Sequence, residues 1–244
     1  MKLYRLFSFL VVFCVCLSSV QKSYAEDPSD MTSDPHYQLL LQNNQVRVFE
    51  VTLRPTEKAY VRHAYNFLIV TLQDCEMVMW AQGQSDIQNF RFNQGDVRFA
   101  YAGPARGIRN DRTSIYRNIT VEFLNSKVTT FGYQANTGSW DYGSSGINPP
   151  VDPHKKFKSD LDLSEAIACD VQLLQGDLLE PPDKSMAELL IATTDIDLKT
   201  QTDIHVRKST GEIMWLGEGR KNSLMNGNPD PARVVVVQLK PKQS

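Results

Sequence analysis

The sequence predicts an all-β chain built from two related domains in tandem, and three observations carry that prediction. The stretch GDVRFAYAGPARGIRN (Gly95–Asn110) recurs as GEIMWLGEGRKNSLMN (Gly211–Asn226), displaced by 116 residues, and the same displacement relates YRNITVEF (Tyr116–Phe123) to ARVVVVQL (Ala232–Leu239). Both copies keep a Gly followed by an acid, a second Gly eight positions on and an Asn seven further. A shared offset without a gap over about thirty residues marks a duplicated unit. The first half also lacks any 3.6-residue apolar stripe of useful length. Finally, strand-like runs of about 4–8 residues alternate with turn signals every 8–12, as in a sandwich or barrel.

Residues 1–25 read as an export signal. Lys2 and Arg5 make a basic start, Leu6–Leu17 is a twelve-residue apolar run broken only by Ser8, and Ser23-Tyr24-Ala25 supplies small residues before a cut at Glu26. The run is well short of the roughly 20 residues of a spanning helix. A soluble, exported chain follows, periplasmic or extracellular, with no membrane association after signal cleavage. Residues 26–35, rich in Asp, Ser and Pro, read as a disordered leader. The first β-domain spans 36–131. Val46–Leu53 alternates into a turn at Arg54-Pro55-Thr56, and Ala59–Leu72 continues through His63 into the β-branched and aromatic run FLIVTL. Glu76–Trp80 and Gln88–Phe92 read as paired strands before the repeated stretch. Residues 132–156, rich in Gly, Ser, Asn and Pro, form a linker. The second domain spans 157–244, where Ala166–Leu174 takes the part of Val46–Arg54 and LLIAT (Leu189–Thr193) that of LIVT (Leu68–Thr71).

The whole chain carries a formal charge of −2; losing the signal removes three basic residues and no acid, leaving −5. A mildly acidic chain without a long Lys/Arg cluster argues against nucleic acid as a partner. Cys75 and Cys169 remain after signal removal, one in each half. They read as buried free thiols, with a bridge between the halves as the alternative in an oxidising compartment. Asn118-Ile119-Thr120 spells a glycosylation sequon, but inside a predicted strand. His154 and His205 stand alone as surface or core residues.

The repeated frame resembles the second motif of the cupin superfamily, Gly-x5-Pro-x-Gly-x2-His-x3-Asn. Gly95, Gly103 and Asn110 fit it in the first half, with Tyr101 at the Pro and Arg106 at the His; Gly211, Gly219 and Asn226 fit it in the second, with Gly217 and Asn222 at those positions. The family's first motif, Gly-x5-His-x-His-x3,4-Glu, is more eroded. In the first half Pro55 or Thr56 stands for the Gly, Val61 for the first His, His63 remains, and Phe67 or Leu68 replaces the Glu. In the second, Gly176 and Glu188 fit while Pro182 and Lys184 take the His positions. The resemblance implies a bicupin: two cupin-type double-stranded β-helix (jelly-roll) barrels in tandem.

Metal-binding cupins converge two or three His and a Glu inside the barrel, in sites suited to transition metals. Each half here keeps one of those four ligands, and a guanidinium at a cation's site adds repulsion. The resemblance therefore implies no cofactor and no catalytic residue, and a non-catalytic protein that binds a small anionic molecule or has a structural role. Inward parity, if shared with His63, gives a ligand-binding set of Val61, His63, Tyr65, Arg106 and Ile108. His63 is either a ligand-facing hydrogen-bonding group or a structural one. Arg106 either meets an anion, snorkels out, or pairs with Glu57 or Asp111. Glu188 is expected to pair with Lys184. The alternative is a metal-dependent oxidoreductase or isomerase with a divalent transition metal at His63. The second barrel can also be a packing partner alone, making the chain a covalent counterpart of a cupin dimer; a monomer then suffices, with a homodimer as the other expectation.

Overall fold

The computed structural model describes residues 27–82, 88–126, 157–180, 186–200, 202 and 204–241. The stretches read as an export signal and a linker, together with Pro182, Lys184 and His154, lie outside these residues. Every regular element among them is a strand. The first half runs β1 (Ser29–Asp30), β2 (Tyr37–Gln42), β3 (Val46–Leu53), β4 (Lys58–Arg62), β5 (Phe67–Thr71), β6 (Cys75–Ala81), β7 (Gln88–Phe92), β8 (Val97–Ala100), β9 (Arg106–Arg109) and β10 (Tyr116–Phe123). The second runs β11 (Phe157–Asp162), β12 (Ala166–Leu173), β13 (Leu178–Leu179), β14 (Ala187–Ala192), β15 (Ile196–Lys199), β16 (His205–Lys208), β17 (Ile213–Glu218), β18 (Leu224–Asn226) and β19 (Ala232–Leu239).

The duplication holds strand for strand. Sheets β1-β4-β9-β6-β7 and β2-β3-β10-β5-β8 of the first half match β13-β18-β15-β16 and β11-β12-β19-β14-β17 of the second, apart from the added β1. In each half two separate sheets face each other, so the architecture is a jelly roll of two layers and not a closed barrel.

The repeated residues build the corners. Gly95 and Gly211 sit at φ +85° and +91°, a region that costs little only for Gly. The acid after each glycine closes its turn: Asn93 N–H donates to Asp96 Oδ2 at 2.9 Å, and Ser209 N–H to Glu212 Oε2 at 2.7 Å. Asn110 and Asn226 are buried locks. Asn110 Nδ2 donates to the carbonyls of Leu53 and Ser114 at 3.0 and 2.7 Å; Asn226 Nδ2 donates to those of Leu173 and Asp230 at 3.0 and 2.9 Å. Thr56 occupies the corner that Gly176 takes in the other copy, and adopts the same left-handed conformation, φ 72° against 84°.

The halves meet through sheets β2-β3-β10-β5-β8 and β11-β12-β19-β14-β17. Val48, Leu68, Val70, Ile119 and Val121 share one core with Ala168, Leu189, Ile191, Val235 and Val237. At its rim the duplication becomes a pseudo-two-fold. Arg233, paired with Asp170 at 2.6 Å, reaches the other half and donates to the Gln94 carbonyl at 2.8 Å beside Gly95. Its counterpart Arg117, paired with Glu50 at 2.6 Å, lies against Gly211. Cys75 and Cys169 are free thiols.

Two expectations change. Residues 27–35, read as a disordered leader, are placed against the first jelly roll: β1 pairs in parallel with Val61–Arg62, and Met31 is 1 % exposed among Phe49 and Val61. The apolar side chain of Met31 supplies the burial that the polar composition around it concealed. The strand read as continuous from Ala59 to Leu72 is two strands in different sheets, β4 and β5, separated by a bend at 63–66.

Candidate functional site

The two faces of β10 differ in chemistry. Ile119, Val121 and Phe123 enter the core between the halves. Tyr116, Asn118, Thr120 and Glu122, on the opposite parity, line the interior of the first jelly roll and are all buried. Asn118 Nδ2 donates to Tyr116 Oη at 2.7 Å, and Thr120 Oγ1 donates to Asn118 Oδ1 at 2.9 Å. Asn118, the asparagine of the sequon, is thus a buried lining residue.

At the end of this polar line Glu122 is wholly buried. Arg47, directly across the ladder on β3, donates from Nε and Nη2 to Glu122 Oε2 at 3.0 and 2.6 Å. The other oxygen, Oε1, lies 3.4 Å from His63 Nδ1, and neither atom makes a hydrogen bond. His63 is 6 % exposed and its ring stacks on Phe67, with centroids 3.6 Å apart and planes 10° apart. The Arg106 guanidinium lies over the same phenyl ring at 5.3 Å, and Tyr37 meets His63 edge-on at 6.4 Å. Burial holds the His63 imidazole below its ordinary pKa, opposed by the attraction of Glu122. Burial likewise pushes the Arg106 guanidinium down to about 10.

Of the residues expected to line a pocket, the structure brings His63, Arg106, Val61 and Ile108 to the interior side of sheet β1-β4-β9-β6-β7. Val61 is the register partner of Arg106 and packs on Met31 and Phe49. Ile108 belongs to a separate cluster with Val51, Leu53 and Met79. Tyr65 departs from the expectation, because β4 ends at Arg62 and alternation stops there; it sits half-buried in the bend, near the Arg47 guanidinium at 5.6 Å. Glu57 and Asp111, considered as partners for Arg106, serve elsewhere: Glu57 Oε2 accepts from Arg54 N–H at 2.7 Å, and Asp111 binds Arg109 through both oxygens at 2.6 and 2.8 Å. Sequence reasoning missed Glu122 and Arg47. The polar alternation Tyr-x-Asn-x-Thr-x-Glu along β10 was the signal that could have found Glu122.

The second half is filled differently. Register aligns Glu122 with Gln238, Arg47 with Ile167 and Phe67 with Glu188. The counterparts of Asn118 and Thr120 are Val234 and Val236, packed with Val171, Leu173, Leu190 and Leu198. Arg220 holds both oxygens of Glu188 at 2.6 and 3.2 Å and also donates to the carbonyls of Leu179, Glu180 and Asn222; Lys184, the partner expected from the sequence, lies outside the described residues.

The metal of the fold family does not fit these residues. Its four positions in the first half hold Val61, His63, Phe67 and Arg106, so one imidazole faces a phenyl ring and a guanidinium. Among the described residues no three His, Cys, Asp or Glu are placed to share an ion.

No protein-family model and no curated protein sequence matches the chain. Solved structures do. AerE from Microcystis aeruginosa aligns with a TM-score of 0.61 at 11 % identity, covering 88 % of this chain and 97 % of that one. A cupin 2 conserved barrel domain protein from Leptotrichia buccalis aligns at 0.54 and 10 %, covering 84 % and 88 %. Salicylate 1,2-dioxygenase from Pseudaminobacter salicylatoxidans aligns at 0.57 and 12 %, covering 83 % and 75 %. At such identities the likeness speaks for fold and not for chemistry. The repeat, the matched sheet orders and these alignments together give one conclusion: the chain carries the cupin fold twice in tandem.

Proposed function

We propose that this chain is an exported, non-catalytic binding protein whose first jelly roll holds a small organic anion without the metal usual in the fold. The second jelly roll is its packing partner. The observation that carries this reading is the contrast between the copies. The same topology packs with Val234, Val236 and Ile167 in one half and with Asn118, Thr120 and Arg47 in the other. The fold does not require polar groups at these positions, and burying them is costly unless they are paired. A polar line along β10 that ends in Glu122 beside His63 fits ligand recognition. Arg106 would hold the anionic group, with Phe67 as the wall beneath it, and Val61 and Ile108 would limit size.

The test is a calorimetric titration of the mature chain with glycolate, acetate and inorganic phosphate, repeated on Arg106→Met. At least one probe binds, and the variant weakens it by about tenfold or more, as for a lost charge-assisted hydrogen bond. The melting temperature stays within a few degrees, because the methionine still covers Phe67. No binding of any probe, or a variant that unfolds, overturns the reading.

One observation favours a second reading, a metal-dependent enzyme with a rearranged ligand set: His63 Nδ1 and Glu122 Oε1 are buried, adjacent and without hydrogen bonds. Near-stoichiometric Mn, Fe, Ni, Cu or Zn in the purified mature protein, lost in both His63→Gln and Glu122→Gln, would favour it over the metal-free reading.

A further inference from the structure

We infer that the anion held in the first jelly roll carries a hydroxyl group, which His63 and Glu122 read as a pair; this rests on the anion-binding reading above. Glu122 is wholly buried and Arg47 takes only one of its oxygens, leaving Oε1 turned toward His63. His63 Nδ1 is equally buried, and at 3.4 Å the two atoms are farther apart than the roughly 2.7–3.2 Å of an N–H···O hydrogen bond. Among the described residues these two facing atoms and Arg98 Nε are the buried side-chain nitrogens and oxygens without a hydrogen bond, whereas buried polar groups are ordinarily satisfied.

The chemistry of the two atoms defines what completes them. Glu122 Oε1 accepts a hydrogen bond, and a neutral His63 with its proton on Nδ1 donates one. A group that accepts from the ring and donates to the carboxylate through one atom is a hydroxyl. A carboxylate cannot donate, and an ammonium cannot accept. Arg106 and His63 both lie against the ring of Phe67, so a hydroxyl on one and a carboxylate on the other belong to a small molecule. The ligand class is a short hydroxy acid. A site built on buried hydroxyl partners discriminates strongly, because an analogue without the hydroxyl leaves them unpaired again.

The experiment compares glycolate, methoxyacetate and acetate on the mature wild-type protein by calorimetry. Glycolate both donates and accepts at its second oxygen, methoxyacetate only accepts, and acetate has neither function. Glycolate is expected to bind at least ten-fold tighter than acetate, with methoxyacetate no better than acetate. In His63→Phe, which keeps a ring on Phe67, glycolate should fall to the level of acetate. Equal affinities for glycolate and acetate that still depend on Arg106 overturn the hydroxyl and leave the anion site standing; the pair is then bridged by water. Binding of none of the three overturns both. Preference for glycolate unchanged in His63→Phe assigns the hydroxyl elsewhere and also overturns the inference.

Discussion

At the scale of single residues, burial decides what each polar group can be. His63 is sealed beside Phe67 and Glu122, and desolvation keeps its imidazole below the usual 6.5. The sign follows from linkage. Above the unfolded value both states hold a neutral ring. As pH falls through it, the unfolded chain takes a proton that the folded chain refuses, so stability is lost until the lower folded value is reached. Arg47 and Arg106 lie near enough to disfavour the imidazolium, while Glu122, and Asp30 more weakly, favour it. Denaturant unfolding at pH 7 and pH 5 should show wild type losing more stability on acidification than His63→Gln. An equal loss would mean that the ring titrates normally. Thr56 makes a different point about residues. It keeps the left-handed corner of its glycine counterpart, φ 72°, because Thr56 N–H donates to the Asn110 carbonyl at 2.7 Å, as Gly176 N–H does to that of Asn226 at 2.8 Å. Both copies make this hydrogen bond, one of them without the glycine that suits the conformation.

At the scale of elements, the short strand β1 is held to the first jelly roll by little backbone pairing. Ser29–Asp30 joins the first jelly roll by a two-residue parallel bridge, Ser29 Oγ donates to Asp34 Oδ2 at 2.9 Å, and Met31 seals Phe49 and Val61 close to His63. On the binding reading proposed above, so little backbone pairing makes this the segment expected to yield first to an entering ligand. Met31→Ala should therefore leave the global unfolding transition nearly in place while speeding modification of His63 by diethyl pyrocarbonate several-fold. An unchanged modification rate would put the entrance elsewhere. The elements also show which features the sequence exposed. Gly95, Gly211, Asn110 and Asn226 were readable because corners tolerate few residue types and their hydrogen bonds recur in both copies. The break between β4 and β5 was hidden, since His63-Ala64-Tyr65-Asn66 contains neither Gly nor Pro, and Tyr65 was misassigned with it. The partners of Glu188 and Glu122 were hidden for another reason: Arg220 is 32 residues from one and Arg47 is 75 from the other, separations that only the sheet order closes.

At the scale of the whole molecule, duplication supplies an internal control. Both copies share sheet order, corner glycines and asparagine locks, and they bury one face against each other under the crossed arginines Arg117 and Arg233. They differ in what fills them. At the positions of Asn118, Thr120 and Arg47 the second copy closes around Val234, Val236 and Ile167, its buried Glu188–Arg220 pair lying elsewhere, so polar groups at those positions are dispensable for folding. Replacing a buried polar network by apolar residues of similar size is commonly neutral or stabilising when every member is exchanged together. The most direct measurement is therefore denaturant unfolding, with glycolate titration alongside, of a variant carrying the second copy's residues: Arg47→Ile, Asn118→Val, Thr120→Val and Glu122→Gln. The account predicts unfolding free energy equal to or above that of wild type and no glycolate binding. A chain that loses several kcal/mol, about the cost of breaking a buried pair, or that binds glycolate as before, would contradict it.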